Sequence, residues 1–330
     1  MEKQIIVRNG GDASYAINCN SGNPRDRRPQ PAGLISEPLQ RFITSSLSAG
    51  TQRGYAADLA HFRASGRNIP CPPYVLAEYL ADLAETHAVA TIQRRLAAIA
   101  KAHRALGHDD PCRAEIVKST MSGIRRTKGT AQREARALQR DDLFSVLERM
   151  GDRTIDLRDR ALLLIGFAGA FRRSELVGFD CSDVEHGGRG IVLHLRRSKT
   201  DQTGQGRKIA IPHGRTRWCP VRHLADWLAH AEIEEGPLFR SIDRHGNIAP
   251  DRLSGEAVST IVKKRVEAAG FDPVTFSGHS LRAGLATSAA MAGASSWKIR
   301  QQTGHKSDAM LARYIRDGDM FTGNAAGAVL

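Results

Sequence analysis

The chain has 330 residues and carries 48 lysines and arginines against 35 aspartates and glutamates, a formal net charge of +13. That surplus makes a polyanion the default partner, either nucleic acid or an acidic membrane face. The length suits two domains with separate cores, and five scattered cysteines (Cys19, Cys71, Cys112, Cys181, Cys219) without a CxxC pair argue against a disulfide framework and a cysteine-rich zinc site.

Residues 1–33 include NCNSGNPRDRRPQPAG, rich in Pro, Gly, Asn and Arg and without an apolar period, and read as a flexible basic arm. No long apolar segment follows a basic start, which speaks against a secretory signal and for a cytoplasmic location. From residue 34 to about 127 the pattern is helical. Tyr55, Leu59 and Phe62 recur at i, i+4 and i+7, and Ile92, Leu96, Ile99 and His103 repeat that spacing with Arg94, Arg95 and Lys101 turned away. Further helices are predicted at about 36–46, 74–86 and 113–125, separated by RNIPCPP and LGHDDPC, whose prolines and glycine break helices.

The stretch GIRRTKGTAQREARALQR, Gly123 to Arg140, holds six basic residues (among them Arg125, Arg126 and Lys128) and one acid, Glu134; it reads as a cationic linker, centred on residues 128–139. In residues 140–330 helices are predicted at 140–150, 157–169, 219–231, 255–269, 278–292, 295–303 and 307–315. Two short apolar segments, Ile191 to Leu195 and Lys208 to Ile211, flank a polar, glycine-containing turn and predict a hairpin. The longest apolar run, ALLLIGFAGAF from Ala161 to Phe171, is too short to cross roughly 30 Å of bilayer and reads as a buried helix.

Four short motifs in this half belong together. GAFRRSELVGF places Arg172 and Glu175 three apart, RRSKTDQTG places Lys199 on the turn side of the hairpin, and SGHSLRAG places His279 and Arg282 three apart at a helix start behind Ser277 as N-cap. In TGHKSDAMLARYIR, Gly304 ends one helix, His305 stands in the turn and Tyr314 follows on the next helix. Taken singly, each residue has an ordinary explanation as a core aromatic, a turn histidine, an ion-paired arginine or a solvated lysine. The acids Asp180, Asp183, Glu185 and Asp201 do not form the carboxylate cluster a two-metal nuclease needs, so no metal or other cofactor is expected.

The ordered set Arg172, Lys199, His279 with Arg282, His305 and Tyr314 resembles the motif of the tyrosine recombinases, the phage-integrase family of site-specific DNA recombinases. The resemblance is close over about 138–320 and looser over about 34–127. It implies a mainly α fold: an N-terminal helical core-binding domain at 34–127, and at 140–330 an α+β catalytic domain with a small antiparallel sheet and a C-terminal tail at 316–330. It further implies double-stranded DNA as partner, held between two lobes, and a homotetramer on two paired sites that is a monomer or weak dimer without DNA. In that family Tyr314 attacks the scissile phosphate, Arg172 and Arg282 clamp its oxygens, His279 accepts the phenolic proton, His305 donates to the phosphate, Lys199 protonates the leaving 5′-oxygen, and Glu175 orients Arg172 or His279. DNA contacts are expected at Arg94, Arg95, Lys101, Arg125, Arg126 and Lys128.

The family usually has an apolar residue after the first arginine, where this chain has Arg173; the Arg-x-x-Glu spacing favours Arg172, and a shift of one leaves Arg173 as the alternative. The same residues would also serve a type IB topoisomerase or a hairpin-forming resolvase, and a non-catalytic DNA-binding protein on the same fold is the alternative of another class.

Overall fold

A computed structural model describes residues 41, 46–130, 135–196, 206–305, 307 and 311–312. Lys199 and Tyr314, the basic arm, the C-terminal tail, and most of the helices predicted at 36–46 and 307–315 lie outside these residues. The chain divides into two compact units, Met1–Arg133 and Glu134–Leu330.

Among the described residues the first unit contains the α-helices α1 (Ala49–Ala64), α2 (Pro73–Thr86), α3 (Val89–Ala105) and α4 (Glu115–Lys128). Helix α1 starts where the Ser48 hydroxyl accepts the Thr51 N–H, and α2 starts at Pro73, whose missing N–H costs nothing at a first helical position. Helix α1 packs on α3 and α2 on α4, so that Leu59, Phe62, Leu76, Leu80, Ile92 and Ile99 share one core. His103 closes it from below: its Nε2 accepts the Cys71 N–H at 3.0 Å, leaving Nδ1 to donate to the Ile99 carbonyl at 2.9 Å.

One expectation fails here. Arg95 is not turned away but buried, with its Nη1 donating to His61 Nδ1 at 2.9 Å and its Nε 3.6 Å from Asp58. It lies three residues after Ile92 and four before Ile99, on the same helical face as both, and the buried Asp58 supplies the countercharge. The basic stretch that starts at Gly123 is helical as far as Lys128, the first residue of the linker expected at 128–139. Gly123–Lys128 form the last turns of α4, because Val117, Met121 and Ile124 carry one apolar row into the core despite the basic residues around them.

The second unit is built around α6 (Thr154–Ala168), which follows α5 (Arg140–Glu148). Ala161, Leu162, Leu163 and Ile165 are fully enclosed, as a helix apolar all round must be. A four-residue helix α7 (Arg173–Leu176) leads to a three-stranded antiparallel sheet of β1 (Val184–Gly187), β2 (Gly190–Leu195) and β3 (Arg207–Pro212), in the order β1-β2-β3. In its register Leu193 faces Val184 on one side and Ile209 on the other, and alternate residues Ile191, Leu193, Leu195, Ile209 and Ile211 point into the core.

Helix α8 (Pro220–His230) packs on α6, and its Trp227 is buried with Nε1–H donating to the Leu238 carbonyl at 2.8 Å. A second hairpin, β4 (Arg240–Ile242) with β5 (Ile248–Arg252), was not anticipated, because its strands are short and carry little apolar alternation. The unit continues through α9 (Gly255–Ala268), α10 (His279–Met291) and α11 (Ser296–Thr303). Arg265 of α9 joins Asp156 and Asp159 of α6 at 2.7 and 2.6 Å, a buried ion network that ties these helices together. Helix α10 crosses α6, and the extended segment at 136–138 runs against it. There Leu138 N–H donates to the Ser280 carbonyl, and a Cβ on Gly284 would lie 1.8 Å from the Leu138 carbonyl oxygen. Gly284 is therefore the close-approach point of that crossing.

Candidate active site

The arginine that opens the motif does not continue α6. The chain leaves α6 at Ala168, turns through Ala170 in the left-handed region (φ 50°), and starts α7 with Arg172 at the N-cap. The buried Glu175 serves both ends of Arg172: Oε2 accepts its backbone N–H at 2.9 Å and Oε1 accepts its Nη1–H at 2.5 Å. The three-residue spacing thus acts as a helix cap as well as an ion pair, and it holds the guanidinium in one direction.

Arg173 points elsewhere. It is exposed, its Nη1 donates to the Ser259 hydroxyl at 2.9 Å, and its methylenes cover Gly278. Arg172, by contrast, lies close enough to His305 and Arg207 for its charge to lower the pKa of both.

Helix α10 brings His279 and Arg282. Its N-cap is Gly278, one residue later than Ser277, although the Ser277 hydroxyl still accepts the His279 N–H at 3.1 Å. His279 is exposed at the helix start, whereas Arg282 is buried and its Nη1 donates 2.8 Å to the carbonyl of Ala170. The left-handed turn after α6 therefore aims a carbonyl at one arginine and a backbone N–H at the carboxylate that orients the other.

His305 follows Gly304, the left-handed residue that ends α11 (φ 68°, ψ 35°). Its ring is buried, with Nδ1 2.8 Å from the hydroxyl of the enclosed Thr303. Burial, followed by the positive charges of Arg282, Arg172, His279 and Arg207, pushes it down to about 4, so it is neutral at pH 7. The Thr303 hydroxyl also lies 3.5 Å from the Arg300 carbonyl, so its contact with Nδ1 fits either ring tautomer; the one in which Nδ1 accepts the hydroxyl proton presents Nε2–H as a donor.

The site thus gathers Arg172, His279, Arg282 and His305, with Glu175 behind Arg172. It also contains Arg207, at the start of β3, which the sequence did not single out from its many arginines. The two permanent guanidinium charges of Arg172 and Arg282 beside a neutral donor form a cradle for a phosphodiester, while Arg207 is engaged with the end of α11. Among the described residues no group of three or more His, Cys, Asp or Glu could hold a metal ion. Away from this site, burial, then Asp110, pushes Cys112 up to about 12, and burial also raises Cys71 and Cys181, so these thiols are poor nucleophiles.

The expected DNA contacts in the first unit separate into two groups. Arg125 and Arg126 are exposed on α4, whereas Arg94 spans to Asp58 through two hydrogen bonds of 2.9 and 3.0 Å and Lys101 is half-buried. Lys128 donates to the carbonyl of Ala84.

The phage integrase family model matches residues 136–319. The chain is 38% identical over 301 residues to the integrase/recombinase xerD homolog of Selenomonas ruminantium, covering 88% of each. It is 29% identical over 276 residues to recombinase cre of Escherichia phage P1, covering 77% of this chain and 78% of that one. In three dimensions it is similar to the XerH site-specific recombinase bound to difH in a post-cleavage complex (TM-score 0.61, 18% identity, 83% of this chain and 78% of that one). It is similar also to a lambda integrase fragment bound to a COC′ core site (TM-score 0.60, 20% identity, 86% and 93%). The mainly helical fold with its small antiparallel sheet agrees with that class, and the match over residues 136–319 together with the 38% identical relative makes the assignment. The chain belongs to the phage integrase family, the tyrosine recombinases.

Proposed function

We propose that this protein cuts and rejoins duplex DNA at specific sites through a covalent phosphotyrosyl intermediate on Tyr314. The reading rests chiefly on one observation: Arg172, Arg282, His279 and His305 converge from three separate helix ends, with a buried carboxylate fixing one arginine. A bound phosphate would accept hydrogen bonds from Arg172, Arg282 and neutral His305, and the developing charge of the transition state strengthens each of them.

In the cleavage step the phenolic oxygen of Tyr314 forms a bond to phosphorus as the bond from phosphorus to the 5′-oxygen breaks. The product is a 3′-phosphotyrosyl link and a free 5′-hydroxyl. The phenol, with an ordinary pKa of roughly 10, gives its proton to His279, and Lys199 supplies one to the leaving oxygen. Because the new phosphoester is close in energy to the old one, a second 5′-hydroxyl reverses the step without ATP. Neither step calls for a metal, since the guanidinium groups supply the positive charge.

DNA complexes of the structurally similar XerH and lambda integrase, and a lambda integrase tetramer on a Holliday junction with TM-score 0.58, support strand exchange by a tetramer on paired sites. Arg94, Lys101, Arg125, Arg126 and Lys128 are proposed phosphate contacts, whereas Arg95 is withdrawn because it is buried in the first unit's core.

The test is a library of nicked duplexes that lose a short strand on cleavage. The chain should become covalently linked to DNA through Tyr314 at a defined position, and Tyr314→Phe should bind the same duplex without forming the adduct. Relaxation of supercoiled DNA without site preference would favour the topoisomerase alternative, and unchanged products with Tyr314→Phe would exclude Tyr314 as nucleophile.

A further inference from the structure

Arg207 has no role in the motif, yet its charge is felt by His305 and it in turn feels Glu175 and Arg172. Its Nη1 donates to the carbonyls of Gln301 at 3.0 Å and Gln302 at 3.2 Å, the last turn of α11. These carbonyls lie at the negative end of the helix and have no partner further along it, so a cation there stabilises that end. The guanidinium also lies against Gly304: a Cβ at that position would meet Nη1 at 2.6 Å and Cζ at 2.8 Å. Gly304 is thus required twice, by its left-handed backbone and by the guanidinium that occupies the space of a side chain.

The side chain of Gln302 completes the junction, donating to Ala168 O at the end of α6 (2.8 Å) and to Ala210 O in β3 (3.2 Å). Strand β3, the end of α6 and the end of α11 are therefore joined at the residue immediately before Thr303, Gly304 and His305. Partial burial lowers the pKa of Arg207, Glu175 raises it and the charge of Arg172 lowers it again; the guanidinium keeps its charge and stands half-buried beside another cation. A side chain needed only to fill space would not be placed at that electrostatic cost.

We propose that Arg207 is a positioning residue of the active site: by spanning the terminal carbonyls of α11 and packing on Gly304, it holds the turn that keeps His305 among the arginines. It acts through His305 and not on the substrate. The role deepens the strand-exchange reading above and rests on it. One part of the test needs no DNA, so failure of one can be told from failure of the other.

The experiment compares the parent chain with Arg207→Gln and Arg207→Lys. The His305 ring is titrated by NMR in the free protein. On the duplex recovered by adduct mapping, affinity and the single-turnover rate of adduct formation at saturating DNA are measured. Arg207→Gln should raise the His305 titration point above about 4, because a neighbouring positive charge is removed and the turn loosens. It should bind within about threefold of the parent and form adduct at least about tenfold more slowly. Arg207→Lys, which keeps the charge but not the forked donor, should fall between the two.

An unchanged His305 titration in Arg207→Gln overturns the proposal, as does a loss of affinity as large as the loss of rate, which would mark a plain DNA contact. If Arg207→Gln does not fold, Arg207→Lys decides, and a parental rate in it overturns the proposal. A parent chain that forms no adduct refutes the strand-exchange reading and leaves the His305 titration as the test of the geometry.

Discussion

Glu175→Gln isolates the carboxylate that aims Arg172. The amide has the same shape but only one oxygen, and in the parent each carboxylate oxygen has its own donor: Oε2 takes the Arg172 N–H at 2.9 Å and Oε1 takes Nη1–H at 2.5 Å. Glutamine keeps one of these bonds and turns an NH2 group toward the other donor. The loss is one hydrogen bond to a charged group, about 1.5–3 kcal/mol. If that loss falls wholly on the transition state, adduct formation slows roughly 10- to 150-fold.

Affinity should not follow the rate. Removing a buried negative charge from a cluster of cations makes the cradle more attractive to a phosphate, so binding should hold or tighten. Single-turnover adduct formation at saturating duplex, set against binding by fluorescence anisotropy, separates the two quantities. A rate within threefold of the parent, or a loss that appears in affinity instead, would refute the assignment of Glu175 as the orienting group.

The second unit offers two further tests, and all three tryptophans (Trp218, Trp227, Trp297) lie in it, so their fluorescence reports its unfolding separately. Arg265→Met leaves the buried Asp156 and Asp159 short of a partner and should cost about 3–5 kcal/mol in urea unfolding. Burial pushes the Asp156 carboxyl up, but hydrogen bonds and charges from Arg153 and Arg265 outweigh it and leave the group below its ordinary value. Its stabilisation is therefore present above pH of about 4 and lost as the pH falls through the folded value, so Arg265→Met should also move acid unfolding to higher pH; a cost under about 1 kcal/mol would contradict this. His305 works over a different window. Its value falls from 6.5 to about 4 on folding, so the unfolded chain takes up the proton first, and stability should drop by about 3 kcal/mol as the pH falls across that interval. His305→Asn should flatten this part of the profile, and an unchanged slope would show that the ring is not buried as described.

The residues that needed folding to interpret are those whose partners lie far along the chain. Arg94 and Arg95 have the same charge and adjacent positions, yet Arg95 is buried beside His61 and Asp58 while Arg94 lies more than half exposed. The helical period contains this distinction, since Arg95 lies between Ile92 and Ile99 on one face; the charge of the residue outweighed it in the reading. At the basic end of α4 the apolar row of Val117, Met121 and Ile124 keeps the chain helical to Lys128 whatever the charge of the residues between.

The sequence by itself determined the order of the motif residues, most helix positions, the β2–β3 hairpin and the family, because these depend on local periodicity, on helix-breaking residues and on fixed spacings. Only the tertiary structure decided that Arg172 lies beside His305 while Arg173 turns to Ser259, that Glu175 caps as well as pairs, and that Arg207 is built into the turn before His305. Each of these depends on a contact between elements distant in sequence. The left-handed carbonyl of Ala170 meets Arg282 and the end of α11 meets β3, and neither a period nor a spacing encodes which partner a side chain will find.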